Sequence, residues 1–202
     1  MTTLLSNASL LPAWALLAYC SVFFCLGLVW RSWATYRATG INPIVLPRDD
    51  SAQGYIGRAF KLTIIALFAQ VASVAAGVTS YSLWSTPAWL HNVVWLGLVV
   101  AMAIMLLAQW QMGNAWRIGI DPMHRTSLVT HGLFRYSRNP IFAAMRLAIF
   151  GILWLQPSAW MLAIAIAGEL LMQIQVRLEE THLQALHGDA YTQYCQQVRR
   201  WL

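Results

Sequence analysis

Apolar residues fall into five blocks along the chain, and the segments between them hold nearly all of its charge. The first block runs from about Leu10 to Trp30 without a charged residue, the second from about Leu62 to Trp84, and the third from Pro87 to Trp110. A fourth, shorter block opens at Pro140 and closes near Leu155. After the uncharged Gln156-Pro157-Ser158 connection, a fifth runs from Ala159 to about Val176. Roughly 20 apolar residues carry a helix across a bilayer core. The pattern therefore predicts an all-α, polytopic membrane protein with five transmembrane helices. No basic residue precedes the first block and no small-residue cleavage site follows it, so it reads as a retained span.

The basic residues predict the orientation. Arg31, Arg37, Arg48, Arg58 and Lys61 lie between spans one and two; Arg117, Arg125, Arg135 and Arg138 lie between spans three and four; Arg177, Arg199 and Arg200 follow span five. The N-terminal segment and the 84–87 and 156–158 turns carry no Lys or Arg. Positive charge concentrates on the cytoplasmic side of membrane proteins. Both long loops and the C-terminal segment are thus expected in the cytoplasm, with the N-terminus outside, as in a bacterial-type inner membrane. Trp30, Trp33, Trp84, Trp89, Trp110 and Trp116 sit near span ends and read as interfacial belts, with an aromatic cage as the functional alternative.

Composition narrows the classes further. Charged residues make up 10% of the chain and hydrophobic ones 59%, whereas a soluble domain carries about a quarter charged residues. The net charge of +6 is dispersed among apolar runs, which argues against a nucleic-acid partner. Cys20 and Cys25 lie five apart within one apolar block and Cys195 lies far away, so free buried thiols are expected. His124 and His131 are seven apart, and His182 and His187 five apart; neither spacing makes a facing metal pair, and no metal is expected. The chain reads as one membrane domain over residues 1–202. Residues 1–110 supply three spans and a loop, and 111–202 hold the groups able to do chemistry. The 31–61 loop, with Pro43, Pro47, Gly54 and Gly57, reads as irregular or partly interfacial helix.

Those groups gather in two segments. In His131–Phe142, Asn139-Pro140 reads as a helix start, Asn at the N-cap and Pro at the first helical position. The open N–H groups of that turn, the helix dipole and Arg138 make a place for a carboxylate or phosphate. The plainer alternative is a well-capped helix entering the membrane beside lipid phosphates. In the second segment the fifth span continues as a helix past the membrane surface. Glu169, Gln173, Arg177, Glu180 and Gln184 recur there at three- and four-residue steps, forming a polar stripe on one face. Glu179 and Glu180 point about 100° apart, so one of them faces a shared site. The alternative is a solvated helix with an Arg177–Glu180 surface pair.

Two ionisable residues fall inside apolar spans. Arg146 and Glu169 sit at depths of roughly 9 and 12 Å below the cytoplasmic boundary, at 1.5 Å per residue. Spans four and five are joined by a short turn and should be antiparallel neighbours. The two side chains are therefore expected to face each other or share a polar cavity, either as a structural ion pair or as part of a site.

At these segments the sequence resembles the isoprenylcysteine carboxyl methyltransferase and phospholipid N-methyltransferase superfamily of integral membrane enzymes. The family pattern is Leu-Val-Thr-x-Gly-x-Tyr, then Arg-His-Pro-x-Tyr opening a membrane helix, a helical hairpin, Glu-Glu-x-x-Leu, and Phe-Gly-x-x-Tyr-x-x-Tyr. Here these read Leu128-Val129-Thr130-His131-Gly132-Leu133-Phe134, Arg138-Asn139-Pro140-Ile141-Phe142, Glu179-Glu180-Thr181-His182-Leu183, and His187-Gly188-Asp189-Ala190-Tyr191 with Tyr194. Trp116–Asp121 also resembles bacterial members. The likeness covers about residues 110–202. It implies S-adenosylmethionine as methyl donor, held in a cytoplasmic pocket over the hairpin. Leu128, Val129, Gly132 and Phe134 would lie toward the adenosine, Arg138, Asn139, Pro140 and Phe142 would surround the methionine part, and Glu179 would bind the cofactor. Asn139 stands where His is commoner, which removes a proton-transfer group. Phe134 and Phe142 replace Tyr, keeping stacking surface without the hydroxyl, and His187 replaces Phe.

The function expected is methylation of a lipophilic acceptor, an isoprenylcysteine-like carboxylate, a phospholipid amine, a thiol or another small lipophile entering from the bilayer. Arg177 or Arg146 would orient its polar group, with Glu180 as base. Two other readings stand beside this one. A sterol-reductase-like enzyme would use NADPH and need an additional basic cluster for its 2′-phosphate. A non-catalytic scaffold or small-solute transporter would not bind S-adenosylmethionine.

Overall fold

The computed structural model describes residues 7–47, 49–79, 83–120 and 126–201, with side chains from residue 14 onward. Arg48, Asp121, His124 and Arg125 lie outside the described residues. The expected spans appear as helices, with changed boundaries at the first two. Helix α1 (Asn7–Phe24) runs without a break through a π-helical turn (Cys25–Trp30) into α2 (Arg31–Thr39). The wider turn frees the Gly27 carbonyl, which accepts from Gln109 Nε2 at 2.8 Å. Gly40, with φ of 69°, ends the helix.

The second helix, α3 (Ala52–Ala75), begins about ten residues before the expected Leu62 and stops well short of Trp84. Its start is fixed by Ser51, whose hydroxyl accepts from Gly54 N at 3.1 Å, and its end by the turn at Gly77, φ 71°. Arg58 and Lys61 look like loop residues by charge alone, but they lie inside the helix and Lys61 is exposed. Helix α4 (Ala88–Met112), α5 (Pro140–Leu155) and α6 (Ala159–His187) match the third to fifth blocks, and α7 (Asp189–Gln197) follows.

An all-α reading misses one small element. Strand β1 (Ile44–Val45) pairs in parallel with β2 (Ile118–Gly119), tying the loop after α2 to the loop after α4. Gly119 is required there: its φ is 82°, and a Cβ would fall 1.9 Å from the Val45 carbonyl oxygen.

α4 lies against α5, α3 lies between α1 and α6, and α5 and α6 form the antiparallel hairpin. The hairpin turn is bonded into its surroundings. Ser158 Oγ accepts from Met161 N, capping α6, and from Gln70 Nε2 of α3, each at 3.1 Å. Met161, Leu98, Val71 and Leu16, from four different helices, are wholly buried at the centre. The opposite faces are apolar too: Leu62, Ile65, Leu96, Val99, Ile166 and Leu170 are each more than half exposed. Among the described residues, four helices are long and apolar enough to cross a membrane (14–39, α3, 88–115 and α6). With such a rim, the chain is an integral membrane protein. Its 16-residue α5 is about 24 Å long, short of the roughly 30 Å of a hydrocarbon core.

Other details also depart from the sequence reading. Trp116 is no belt residue: it is 4% exposed, with Arg31 stacked 5.8 Å from its ring centre. Cys20 is buried but Cys25 is exposed, and both are free.

Close contact between α4 and α5 depends on Gly151, where a Cβ would meet Leu98 Cδ2 at 2.7 Å. Gly151→Leu is expected to cost about 1–3 kcal/mol by overpacking, lowering the thermal unfolding midpoint in detergent. Gly97→Ala, with open space around it, should leave that midpoint unchanged or slightly higher.

Candidate functional site

The polypeptide between α4 and α5 is laid down from its ends. At the close of α4, Gln111 Oε1 accepts from Leu133 N at 2.8 Å. Its amide fills the space beside Gly132, where φ is 62° and a Cβ would come within 2.3 Å of it. A turn of 3-10 helix (Gly132–Arg135) follows, burying Phe134. The Phe134 carbonyl accepts from the Tyr194 hydroxyl at 2.7 Å. Burial pushes the Tyr194 phenol up to about 12, so it stays a donor. Tyr191, Tyr194 and Val198 form a second small core, with Leu128 packed on it. Val129 is half-buried.

Arg138 joins the two motif segments. Its Nη2 donates to Glu180 Oε1 at 2.8 Å, and its Nη1 donates to the carbonyls of Cys195 and Val198 at 3.2 and 3.0 Å. Its backbone N–H donates to the Arg199 carbonyl at 2.9 Å. The far side of Glu180 is held by Arg200, whose Nη2 and Nε donate to Oε2 at 2.7 and 3.0 Å. Glu180 is thus a two-sided clamp whose side chain is only 14% exposed. The polar stripe of α6 does not contain an Arg177–Glu180 pair. Arg177 turns back along its helix, donating to the carbonyl and side-chain oxygens of Gln173.

The start of α5 is correctly located at Asn139-Pro140, but Asn139 does not cap it with its side chain. Its Nδ2 donates instead to the Arg200 carbonyl at 3.1 Å, and its N–H donates to Ser137 Oγ. The reason is the returning 198–201 segment, which offers its carbonyls to this turn. Arg138 is likewise spent on the chain itself rather than open beside the helix start. Pro140 is buried, and Phe142 packs on the main core.

Glu179 differs from its neighbour. It is half-buried, and among the described residues its one partner is the neutral amide of Gln175, at 2.8 Å. A carboxylate without a countercharge at such a place suits a cationic ligand. Deeper in the hairpin, Arg146 Nε donates to Glu169 Oε2 at 2.7 Å, as the sequence reading expects. Sequence reasoning gave no role in the site to Gln111, Arg200 or Trp201. A glutamine closing an apolar helix, and an Arg-Arg-Trp run, are the signals available for them. A cavity of about 540 Å³ lies elsewhere, lined by Ile44–Pro47, Asp49, Ser51, Gln53 and Ile120, and none of the candidate residues borders it.

A helical membrane protein with its polar groups collected where one hairpin leaves the bilayer is the class these features define. Residues 91–190 match the model of the phospholipid methyltransferase family. Through this stretch, about half of its length, the chain belongs to the phospholipid methyltransferase family, consistent with the isoprenylcysteine and phospholipid methyltransferase superfamily, and a membrane methyltransferase is the general activity supported. A 50-residue stretch is 44% identical to an uncharacterized protein of Haemophilus influenzae, covering 25% of this chain and 79% of that protein.

Glu180→Gln removes the charge both arginines share. It is expected to cost about 3 kcal/mol, since the Arg138 side of the clamp is desolvated, and to lower the unfolding midpoint in detergent. Arg200 is a third exposed, so Arg200→Ala should cost no more than about 1 kcal/mol in the same measurement.

Proposed function

We propose that this chain transfers a methyl group from S-adenosylmethionine to a lipophilic acceptor at the cytoplasmic face of the membrane. The observation that carries the proposal is the Arg138–Glu180 contact. It joins the two segments that resemble the family's cofactor motifs, within the stretch that matches the phospholipid methyltransferase family. In this reading α5 is a short fifth span paired with α6. The N-terminus lies outside, and the two long loops and residues 188–201 lie in the cytoplasm.

The residues present fit the donor. Glu179, with no cation beside it among the described residues, is suited to an ammonium or sulfonium charge or a ribose hydroxyl. Leu128, Val129 and Gly132 keep part of their surface open toward the adenosine, while Phe134 is buried within the chain. Asn139, Pro140 and Phe142 form the side toward the methionine part, and Arg138 holds that side in place. When bound, S-adenosylmethionine supplies an electrophilic methyl group for in-line displacement. The chain's own contribution is alignment and exclusion of water, because no protein nucleophile is required. A carboxylate gripped by two guanidiniums is a weak proton acceptor. We therefore assign Glu180 the holding of Arg138 and Arg200 rather than the removal of a proton. Arg146 and Arg177, along the polar face of α6, are the groups available to the acceptor.

Glu179→Gln keeps the Gln175 hydrogen bond and removes only the charge. Calorimetry in detergent is expected to show S-adenosylmethionine bound by the natural chain and at least tenfold more weakly by the variant, about 1.4 kcal/mol. S-adenosylhomocysteine, which lacks the sulfonium charge, should lose less. Failure of the natural chain to bind the donor contradicts the proposal.

A further inference from the structure

The last turn of α4 is held on two opposite sides. On one, Gln109 Nε2 donates to the Gly27 carbonyl at 2.8 Å, and Arg31 Nη2 donates to the carbonyl of Gly113. On the other, Gln111 Oε1 accepts from Leu133 N at 2.8 Å. Residues two apart on a helix point about 200° apart, so Gln109 and Gln111 reach opposite neighbours from a single turn. Gln109 is 3% exposed and meets the first span where its π-helical turn leaves a carbonyl open. Gln111 meets the 3-10 turn (Gly132–Arg135) that leads toward α5.

That 3-10 turn depends on the contact. The first N–H groups of a helical turn lack partners within it, and Gln111 supplies one from a different helix. At Gly132 a Cβ would come within 2.3 Å of the Gln111 amide, so the close approach is barred to any residue with a side chain. The Tyr194 hydroxyl, on the Phe134 carbonyl, fixes the turn from its other side. With both sides pinned, Gly132 and the Leu128-Val129 stretch leading into it, assigned above to the adenosine, are carried at a height that α4 sets. We propose that Gln111 is a positioning residue for the methyl donor, and that the first span, through Gly27 and Arg31, fixes the anchor from which it acts. The proposal rests on the methyl-transfer reading above. It adds a role for the N-terminal end of the chain, since the family match begins only at residue 91, within α4.

Gln111→Met keeps the length of the side chain and removes the accepting oxygen, whereas Gln111→Glu keeps that oxygen at the same reach. In calorimetry on the full chain in detergent, Gln111→Met is expected to bind S-adenosylmethionine and S-adenosylhomocysteine about tenfold more weakly, the scale of one lost hydrogen bond. The two losses should be equal, because the contact places the turn and does not meet the sulfonium charge. Gln111→Glu should restore both, which a general loosening of the core would not allow. Hydrogen exchange should quicken over residues 131–136 in Gln111→Met and stay unchanged over the hairpin helices. Gln109→Met, which removes only the Gly27 contact, should weaken both ligands severalfold. Gln111→Asn, one methylene too short to reach Leu133, repeats the series if the Met variant does not fold. Unchanged affinity in Gln111→Met, or a loss that Gln111→Glu leaves in place, overturns the assignment, and unchanged affinity in Gln109→Met overturns the first span's part in it. A natural chain that binds neither ligand sinks the methyl-transfer reading instead, and the exchange of residues 131–136 still reports whether Gln111 holds the turn.

Discussion

Glu180 sits between Arg138 and Arg200, and the C-terminal half of the molecule is organised around that arrangement. The carboxylate comes from α6, one guanidinium from the turn that enters α5, and the other from the segment after α7. Each charge would be costly in its half-buried place without the others. Because Arg138 also holds the Cys195 and Val198 carbonyls, three stretches distant in sequence are fixed together. The returning segment then carries Asn139 on the Arg200 carbonyl and places Trp201 on Arg146. A packed apolar core positions the helices; this polar junction positions the groups that can do chemistry.

The second constraint is the length of α6. At 29 residues it spans about 43 Å, more than a bilayer core requires. One continuous helix therefore carries polar groups from Glu169, through Gln173 and Arg177, to Glu179 and Glu180. In the proposed function, such a helix would give a charged donor from the water and an apolar acceptor from the lipid a common meeting place. The hairpin turn, capped by Ser158 and bonded to Gln70 of α3, anchors its other end.

Much of this was legible in the sequence, for physical reasons that differ by element. Apolar block length gave the helices α4, α5 and α6, because a single continuous apolar run satisfies its own backbone in lipid only as a helix. Arg146 and Glu169 could be paired in advance because a three-residue turn leaves few ways to arrange two helices. The start of α3 is not legible because Arg58 and Lys61 read as charges of the loop between the first two blocks, although long basic side chains can leave a helix face for water. Glu180's true partners were missed because helix periodicity offers Arg177 as a neighbour, while Arg138 and Arg200 are 42 and 20 residues away. Asn139 failed as a capping side chain for the same reason: a distant carbonyl outcompeted its own helix. Periodicity reports local neighbours, and the polar junction is made of long-range ones.

The family supports membrane methyl transfer in general, and the transfer proposed here, from S-adenosylmethionine to a lipophilic acceptor, is open to a direct test. Membranes containing the chain, incubated with S-adenosylmethionine tritiated in its methyl group, give the sharpest reading. Label should move into the solvent-extractable lipid fraction with the natural chain and stay in the water with Glu179→Gln. Label that never leaves the water, or NADPH consumption in its place, would contradict the assignment.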